Sequence, residues 1–299
     1  MHLTIETRTK INAWLRVLPK KKSSALHELE SLFLPIALGD RLIVDTSLSK
    51  TPRFSLSSNR PDLVPGNTVH QAWNAFVDAY SPAYGRPSFQ MEVHLEKRIP
   101  EQTGLGAGSG DAGAMLLLLN QLHGFPFNTD QLHAIACQIG SDIPFFIESG
   151  PCIIRGTGDR LEPLPSFPHL TCCIALPEFR VDTTHAYQLL DGAIADNGAS
   201  AVDPSVSLDV VLKVLQKREP LPCSRSFRLN SFDVALGEHT TSFLNIRSML
   251  LASGAILGGL SGSGSAIFGI YAERATAEAA ALDVQRRVSA VQTFVAEII

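Results

Sequence analysis

The first regular pattern in the chain is a run of apolar residues at every second position over 10–17. These apolar positions are Ile11, Ala13, Leu15 and Val17. A period of two predicts a half-buried β-strand, because successive side chains of a strand point to opposite faces. Lys10 and Asn12 are two residues apart, so we expect their side chains on the same face of this strand.

Other segments predict a mixture of helices and strands. Helical spacing of apolar residues or a helix-forming composition predicts helices over 67–80, 111–122, 129–139, 183–190 and 275–288. Short apolar runs predict strands at 42–44, 89–95 and 172–176, and a further strand after the glycine-rich turn 259–264. Because the two kinds of element do not alternate strictly, we expect an α+β fold.

The length of 299 residues predicts two domains, because a single hydrophobic core stops growing at roughly 250 to 300 residues. Residues 161–168 are rich in Pro and Ser, which is typical of a segment between domains. We therefore expect domains at 1–165 and 166–299.

Composition and charge argue against several functions. Hydrophobic residues make up 45% and charged residues 18% of the chain, which predicts a sizeable core. The formal net charge of −4 argues against nucleic-acid binding. The 5 cysteines form no C-x-x-C pair, so we expect buried, reduced thiols rather than zinc or redox chemistry. No apolar run approaches the ~18 residues that span a bilayer, so we expect a soluble, cytoplasmic protein without a membrane segment.

The most informative segment is 97–120, with the sequence KRIPEQTGLGAGSGDAGAMLLLLN. Glycines recur through 104–110, and we call this segment the glycine loop. It precedes the predicted helix over 111–122, and the unpaired N–H groups of a helix N-terminus bind phosphate. The dinucleotide-binding pattern fails, because Ser109 stands where the third glycine belongs. The position of the loop before a helix favours a polyphosphate-binding site, and a flexible loop without a ligand is the alternative.

The glycine loop resembles the phosphate loop of the GHMP kinase superfamily. The residues that match its pattern are Pro100, Gly104, Leu105, Gly106 and Ser109. Within the superfamily, five further segments are similar in order and spacing to the 4-diphosphocytidyl-2-C-methyl-D-erythritol kinase family. They are the block over 10–33, IGSDIPFF, VDTTHAY, NSFD and LSGSGSAIF.

The resemblance implies both a fold and a reaction. The implied fold has an N-terminal domain like domain 2 of ribosomal protein S5 and a ferredoxin-like C-terminal domain. The implied reaction is ATP-dependent phosphorylation of the 2-hydroxyl of a small-molecule substrate, a cytidine diphosphate derivative of methylerythritol, in the non-mevalonate route to isoprenoids. The implied cofactors are ATP and Mg²⁺.

The resemblance also implies roles for individual residues. Lys10 and Asp142 match the catalytic lysine and the acidic residue that accepts or orients the acceptor proton. Asn12, His27, Thr183, Tyr187 and Gly262 match substrate-binding positions. The implied ATP-binding residues are Pro100, Gly104, Leu105, Gly106, Ala107, Gly108, Ser109, Gly110 and Asp111. Taken alone, Asp142 is also compatible with a turn residue, Lys10 with a solvated strand lysine, and His27 with a core histidine.

Three positions depart from the family pattern. Leu26 replaces an aromatic residue that would stack on cytosine, which raises the question of nucleobase specificity. Gly110 and Asp111 replace the usual Ser-Asn, and we expect Asp111 either to cap the helix or to reach Mg²⁺ through water, with Ser109 as the other possible metal ligand. Pro19 replaces a turn glycine.

Two alternative functions stay open at this point. One is another small-molecule kinase of the same superfamily, of the homoserine or mevalonate kinase type, although the block with Lys10, Asn12 and His27 disfavours it. The other is a non-catalytic ligand sensor on the same fold, although the retained Lys10 and Asp142 argue for catalysis.

Overall fold

The computed structural model of the chain describes residues 1–20, 27–49, 51–85, 89–148, 150–197, 206–221 and 227–299. The strands within them are β1 (His2–Glu6), β2 (Thr9–Val17), β3 (Leu29–Ile36), β4 (Arg41–Leu48), β5 (Arg53–Ser58), β6 (Phe89–Glu96), β7 (Cys152–Arg155), β8 (Arg160–Pro163), β9 (Thr171–Pro177), β10 (Leu257–Leu260), β11 (Ile267–Tyr271) and β12 (Val291–Glu297). The α-helices are α1 (Thr68–Tyr84), α2 (Ala107–Leu122), α3 (Thr129–Cys137), α4 (Thr183–Asn197), α5 (Leu208–Lys217), α6 (Thr240–Ala252) and α7 (Arg274–Arg287). In this part of the chain no helix is long and apolar enough to cross a membrane.

The chain forms two compact units, each built from separate segments. The first unit comprises Met1–Thr9, Ala37–Glu101 and Gly106–Ser149. The second unit comprises Lys10–Ile36, Gln102–Leu105 and Gly150–Ile299. The division into domains at 1–165 and 166–299 stays a prediction.

The first unit is a four-stranded sheet covered by helices. Its strand order is β1-β4-β6-β5, in which β5 and β6 are parallel and the other pairs antiparallel. Helix α1 connects the two parallel strands, as a parallel pair requires a crossover. Apolar side chains of α1, α2 and α3 pack with those of β4 and β6 in one core.

The second unit contains two four-stranded sheets. One has the antiparallel order β10-β11-β9-β12 and is packed against α6 and α7. The other has the order β2-β3-β7-β8. Single bridges join Leu15 to Asn230 and Ile36 to Ile298. The mixture of helices and strands confirms the expected α+β class.

Strand β2 is present as predicted, but the prediction that it is half-buried is wrong. Lys10, Asn12 and Trp14 are each only 3% exposed, like the apolar residues between them. The polar face is covered because its side chains bond to other parts of the second unit, for example the Trp14 indole to the carbonyl of Val206 at 2.9 Å. An alternating pattern shows which side chains share a face, but not what covers that face.

Two glycine-rich segments differ from their sequence interpretation. Helix α2 begins at Ala107, not at Asp111, because Gly106 in the left-handed conformation (φ 67°) is its N-cap. In the predicted turn 259–264, the first residues belong to β10, and the turn begins at Ser261. Glycine content alone predicts a turn too broadly, because a small residue also fits where a strand is crowded by neighbours.

Three of the five cysteines are buried, as expected. They are Cys152, Cys172 and Cys173. The expectation is wrong for Cys137, which is exposed at the end of α3. Cys223 lies outside the described residues.

Candidate active site

The predicted pairing of Lys10 and Asn12 on one face of β2 is present in the second unit. Lys10 Nζ donates to Asn12 Oδ1 at 2.6 Å and to the Gly104 carbonyl at 3.0 Å. The ammonium group also lies 4.7 Å from the centroid of the Phe33 ring, within the range of a cation–π contact. A lysine fixed in this way places a positive charge beside the first glycine of the loop.

Asn12 is held by two serines that the sequence interpretation did not single out. Its side-chain amide donates to Ser31 Oγ at 3.0 Å, and its backbone N–H donates to Ser261 Oγ at 3.2 Å. Ser261 Oγ in turn donates to the Gly104 carbonyl at 2.9 Å. Ser261 was within reach of sequence reasoning, because it belongs to the LSGSGSAIF segment, whereas nothing local indicates Ser31.

Close backbone packing explains the glycine at the start of the loop. Gly104 has φ +76°, and a Cβ there would lie 2.0 Å from the Ser261 carbonyl oxygen. Gly262, a predicted substrate residue, also approaches this point, since its Cβ would lie 3.1 Å from the Gly104 carbonyl oxygen. Leu105 follows and is buried, and its carbonyl accepts the Lys10 N–H at 2.9 Å. The start of the loop is therefore fixed within the second unit by its backbone contacts.

The turn that contains Gly262 makes hydrogen bonds with two other segments of the second unit. The Asn230 side-chain amide donates at 2.8 Å to each of the carbonyls of Leu260 and Gly262. Thr183 Oγ1, at the start of α4, lies 2.9 Å from Ser263 Oγ. Asn230 belongs to the NSFD segment that the family resemblance includes, so its signal was present although no role was assigned to it.

His27 and Tyr187 lie together in the second unit, as two residues of one site should. Their rings stack with centroids 5.1 Å apart and an interplanar angle of 21°. The His27 side chain is nearly buried, and its ring nitrogens face the Leu18 carbonyl at 3.0 Å and an Asp191 carboxylate oxygen at 3.1 Å. The contact of His27 with a cytosine ring stays a prediction. Leu26, the departure beside it, lies outside the described residues.

The rest of the glycine loop begins helix α2 in the first unit. Gly106, the N-cap of α2, has no side chain, so no N-cap side chain accepts a hydrogen bond from the first-turn N–H groups of this helix. Ala107 is buried, Gly108 accepts a hydrogen bond from Thr68 Oγ1 at 2.7 Å, and Ser109 is half-buried. An uncapped helix start of this kind suits an anionic ligand.

At Gly110, where the family pattern has serine, this chain leaves no room for a side chain. A Cβ at Gly110 would lie 1.9 Å from the Arg8 carbonyl oxygen, far inside any allowed contact. Three residues on, a Cβ at Gly113 would lie 2.5 Å from Phe146 Cβ. This face of α2 therefore packs directly on neighbouring backbone of the first unit.

The expectation that Asp111 caps the helix is wrong. Asp111 lies inside α2 and is buried, with one carboxylate oxygen accepting from Thr7 Oγ1 at 2.8 Å and the other from Lys97 Nζ at 3.1 Å. Lys97 also pairs with Asp40. Burial and the charge of Asp40 raise the pKa of Asp111 to about 7, although Lys97 and Thr7 oppose this rise.

Asp142 lies in the turn before the short 3₁₀ helix Pro144–Ile147 and is half-buried in the first unit. It is not the N-cap of that helix, which is Ile143. Pro100 also lies in the first unit and is half-buried. Because Lys10 belongs to the second unit, its pairing with Asp142 stays a prediction, as do the ATP contacts of the glycine loop.

The described residues contain no group of three or more His, Cys, Asp or Glu side chains that could hold a metal ion. The Asp111 carboxylate is buried and faces the Lys97 ammonium at 3.1 Å, so it does not fit a direct metal ligand. A metal role for Ser109, or for Asp111 through water, stays a prediction.

Comparison with known proteins identifies the family. The family model described as GHMP kinases N terminal domain matches residues 67–150, and the one described as GHMP kinases C terminal matches 221–290. A 4-diphosphocytidyl-2-C-methyl-D-erythritol kinase of Rhizobium johnstonii is 34% identical over 93% of this chain and 88% of its own.

Solved structures agree with this relationship. A crystal structure of 4-(cytidine 5'-diphospho)-2C-methyl-D-erythritol kinase superposes with a TM-score of 0.78 and 29% identity, covering 99% of this chain and 98% of that one. The homoserine kinase of Cytophaga hutchinsonii, at 15% identity and a TM-score of 0.62 over 98% of this chain and 95% of its own, shares the fold alone. The chain belongs to the 4-diphosphocytidyl-2-C-methyl-D-erythritol kinase family of the GHMP kinases, with their two-domain α+β fold.

Proposed function

We propose that this chain transfers the γ-phosphoryl group of ATP to the 2-hydroxyl of 4-diphosphocytidyl-2-C-methyl-D-erythritol, a step of the non-mevalonate route to isoprenoid precursors. The observation that carries this proposal is the buried contact of Lys10 with Asn12 and with the carbonyl of Gly104. It joins the predicted catalytic lysine to the first glycine of the predicted phosphate loop. The names of the relatives support the choice of substrate.

Phosphoryl transfer depends mainly on positioning and on neutralising charge. The N–H groups at the start of α2 would bind phosphate oxygens, because Gly106 leaves that turn without a side-chain cap. Lys10 would stabilise the charge that develops on the transferred group. The hydrogen bonds of Lys10 to Asn12 and Gly104, together with its contact with Phe33, restrict the ammonium to one place before the substrates bind.

Asp142 is the group that we expect to accept or orient the proton of the acceptor hydroxyl. A carboxylate fills this role when it lies within hydrogen-bond reach of the hydroxyl. Mg²⁺ would be bound mainly by phosphate oxygens and water and would neutralise phosphate charge, with Ser109 as the side chain of α2 that we expect to face it.

The test is a coupled assay of ADP formation by the full chain with the cytidyl substrate, and phosphorus NMR of the product. We expect Lys10→Met and Asp142→Asn to lower kcat at least about 100-fold. Lys213→Met and Asp78→Asn, at exposed helical positions, are matched controls that should stay within about twofold of the wild type.

Three outcomes would contradict the proposal. Turnover of homoserine or mevalonate in place of the cytidyl compound would assign another small-molecule kinase. Binding of the cytidyl compound without turnover would indicate a ligand sensor. Full activity of both site variants would remove Lys10 and Asp142 from the mechanism.

A further inference from the structure

Asn230 is a buried asparagine of the second unit to which the family resemblance gives no role. Only 1% of its surface is exposed. Its side-chain amide donates at 2.8 Å to each of the carbonyls of Leu260 and Gly262, and its Oδ1 atom accepts the Phe232 N–H at 2.9 Å. Both hydrogens and the oxygen of the amide are therefore in use, and a carboxylate of the same shape cannot replace the two donors.

One of these carbonyls belongs to the turn over 261–264, which we call the glycine turn. The Gly264 N–H donates to the Ser261 carbonyl at 2.9 Å and closes this turn, with Gly262 at a central position and φ +56°. In a turn closed by such a bond, the carbonyls of the central residues have no partner within the turn. Asn230 supplies a partner for the Gly262 carbonyl from another segment.

The backbone around Asn230 is joined to β2, the strand that carries the predicted catalytic lysine. Asn230 forms a parallel bridge with Leu15. In the next residue, Ser231 Oγ accepts the Val17 N–H at 2.9 Å. Asn230 thus joins two segments of the site, because its backbone pairs with β2 and its side chain bonds the glycine turn.

The glycine turn lies close to the polar face of β2. A Cβ at Gly262 would lie 3.5 Å from Asn12 Oδ1 and 3.1 Å from the Gly104 carbonyl oxygen. Asn12 and Gly262 are both predicted substrate-binding residues. Because a displacement of about 1 Å is enough to impair a reactive geometry, the spacing between these two residues has to be fixed.

We propose that Asn230 is a positioning residue of the substrate site, which holds the glycine turn at a fixed distance from β2 and so places the backbone of Gly262 for the cytidyl substrate. This inference rests on the proposed function, because it takes Gly262 as a substrate-binding residue. Asn230 is buried, so it acts through the turn and does not itself contact the substrate.

The start of the glycine loop has bonds to β2 of its own. The Leu105 carbonyl accepts the Lys10 N–H at 2.9 Å, and the Gly104 carbonyl accepts from Lys10 Nζ at 3.0 Å. A change at Asn230 leaves these two bonds in place. Loss of the Asn230 amide should therefore affect the cytidyl substrate more than ATP.

The experiment replaces Asn230 by Asp, which keeps the shape of the side chain and removes the amide hydrogens. We expect Asn230→Asp to raise the KM for the cytidyl substrate, and its Kd measured by calorimetry without ATP, about tenfold, as the loss of two hydrogen bonds predicts. The KM for ATP should stay within about twofold and kcat within about threefold, because the change affects substrate binding and not the transferred group.

Asn230→Ser separates the bonds to the turn from the bond to the Phe232 N–H. Serine keeps a side-chain oxygen of the kind that accepts from such an N–H, but its single hydroxyl hydrogen cannot bond two carbonyls. It also brings no negative charge to the carbonyls, so it provides the test if Asn230→Asp does not fold. We expect the same rise in the KM and Kd of the cytidyl substrate.

Asn120→Asp is the matched control. Asn120 lies in α2 of the first unit, is 4% exposed, and donates to the Phe127 carbonyl at 2.9 Å while it accepts the Phe127 N–H at 3.1 Å. The same substitution there also removes an amide donor from a backbone carbonyl. We expect it to lower the free energy of unfolding while the KM for the cytidyl substrate stays within about twofold of the wild type.

Three results would overturn the inference. The first is a KM and Kd for the cytidyl substrate that stay at the wild-type values in both Asn230 variants, even if the variants unfold more easily. The second is an equal rise in the KM for ATP. The third is an equal rise in the cytidyl KM of Asn120→Asp, because it would show a general effect of lost stability.

The outcomes also separate this inference from the proposed function. If the wild type phosphorylates the cytidyl substrate and both Asn230 variants bind it as the wild type does, the inference fails and the function stands. If the wild type binds the cytidyl compound without turnover, and the Asn230 variants weaken that binding, the function fails and the inference stands. If the wild type neither binds nor phosphorylates it, both fail.

Discussion

Replacing Asp111 by Asn should change how the stability of the protein depends on pH. The carboxyl group lies inside α2 of the first unit, where Lys97 and Thr7 donate to it and Asp40 lies on the other side of Lys97. Burial, followed by the negative charge of Asp40, raises its pKa from 3.8 to about 7. An asparagine has nearly the same shape but no proton to lose in this range.

The sign of the effect follows from the direction of the shift. The folded state binds the Asp111 proton more tightly than the unfolded state, so the stability it contributes is full below pH 3.8 and is lost as pH rises through about 7. A difference of about three pKa units corresponds to about 4 kcal/mol, which is an upper value for a buried carboxylate paired with a lysine. The Asn variant should lack this loss and become more stable relative to the wild type as pH rises.

The assay is urea unfolding at several pH values between about 4 and 8, followed by tryptophan fluorescence, to which Trp73 in the core of the first unit and Trp14 in the second unit both contribute. Asp78→Asn, at an exposed position of α1, is the control and should follow the wild-type curve. Parallel curves for the wild type and Asp111→Asn would refute the reasoning. If the wild type instead becomes more stable relative to the variant as pH rises, the pKa of Asp111 is lowered, and this result would also refute the reasoning. Unchanged Mg²⁺ and ATP dependence of the variant would also rule out the metal role.

Three further predictions concern packing, hydrogen bonding and thiol reactivity. Gly110→Ala should lose about 3 kcal/mol or more of unfolding free energy, because its Cβ would lie 1.9 Å from a carbonyl oxygen, whereas Gly192→Ala, in open space on α4, should gain up to about 1 kcal/mol. Ser261→Ala should lose about 1–3 kcal/mol in the same measurement, because a buried backbone N–H loses its acceptor. Among the described cysteines, Cys137 should react first with iodoacetamide in a mass-spectrometric time course, because burial raises the pKa of the Cys173 thiol to about 12.

The elements that the sequence predicts best are those whose signals are local. Helices α1 and α3 begin one residue after Asn67 and Asn128, whose side chains accept hydrogen bonds from the first turn of each helix. The predicted start of α2 at Asp111 is wrong because this helix has no side-chain cap. Asp111 is the residue type that a cap requires, but Gly106 occupies the cap position through its backbone conformation alone. A cap without a side chain leaves no residue type to recognise.

The site shows the same division between local and distant causes. The shared face of Lys10 and Asn12 follows from their spacing, but their burial does not, because their neighbours include Ser261, which is 249 residues away from Asn12 in the sequence. Glycine content alone indicates a backbone that a phosphate could approach closely. At Gly104 and Gly110 the structure gives a different cause, because in each case a Cβ would collide with a carbonyl oxygen of the protein itself. Each of these glycines allows close backbone packing within its own unit, so close packing accounts for them without any ligand.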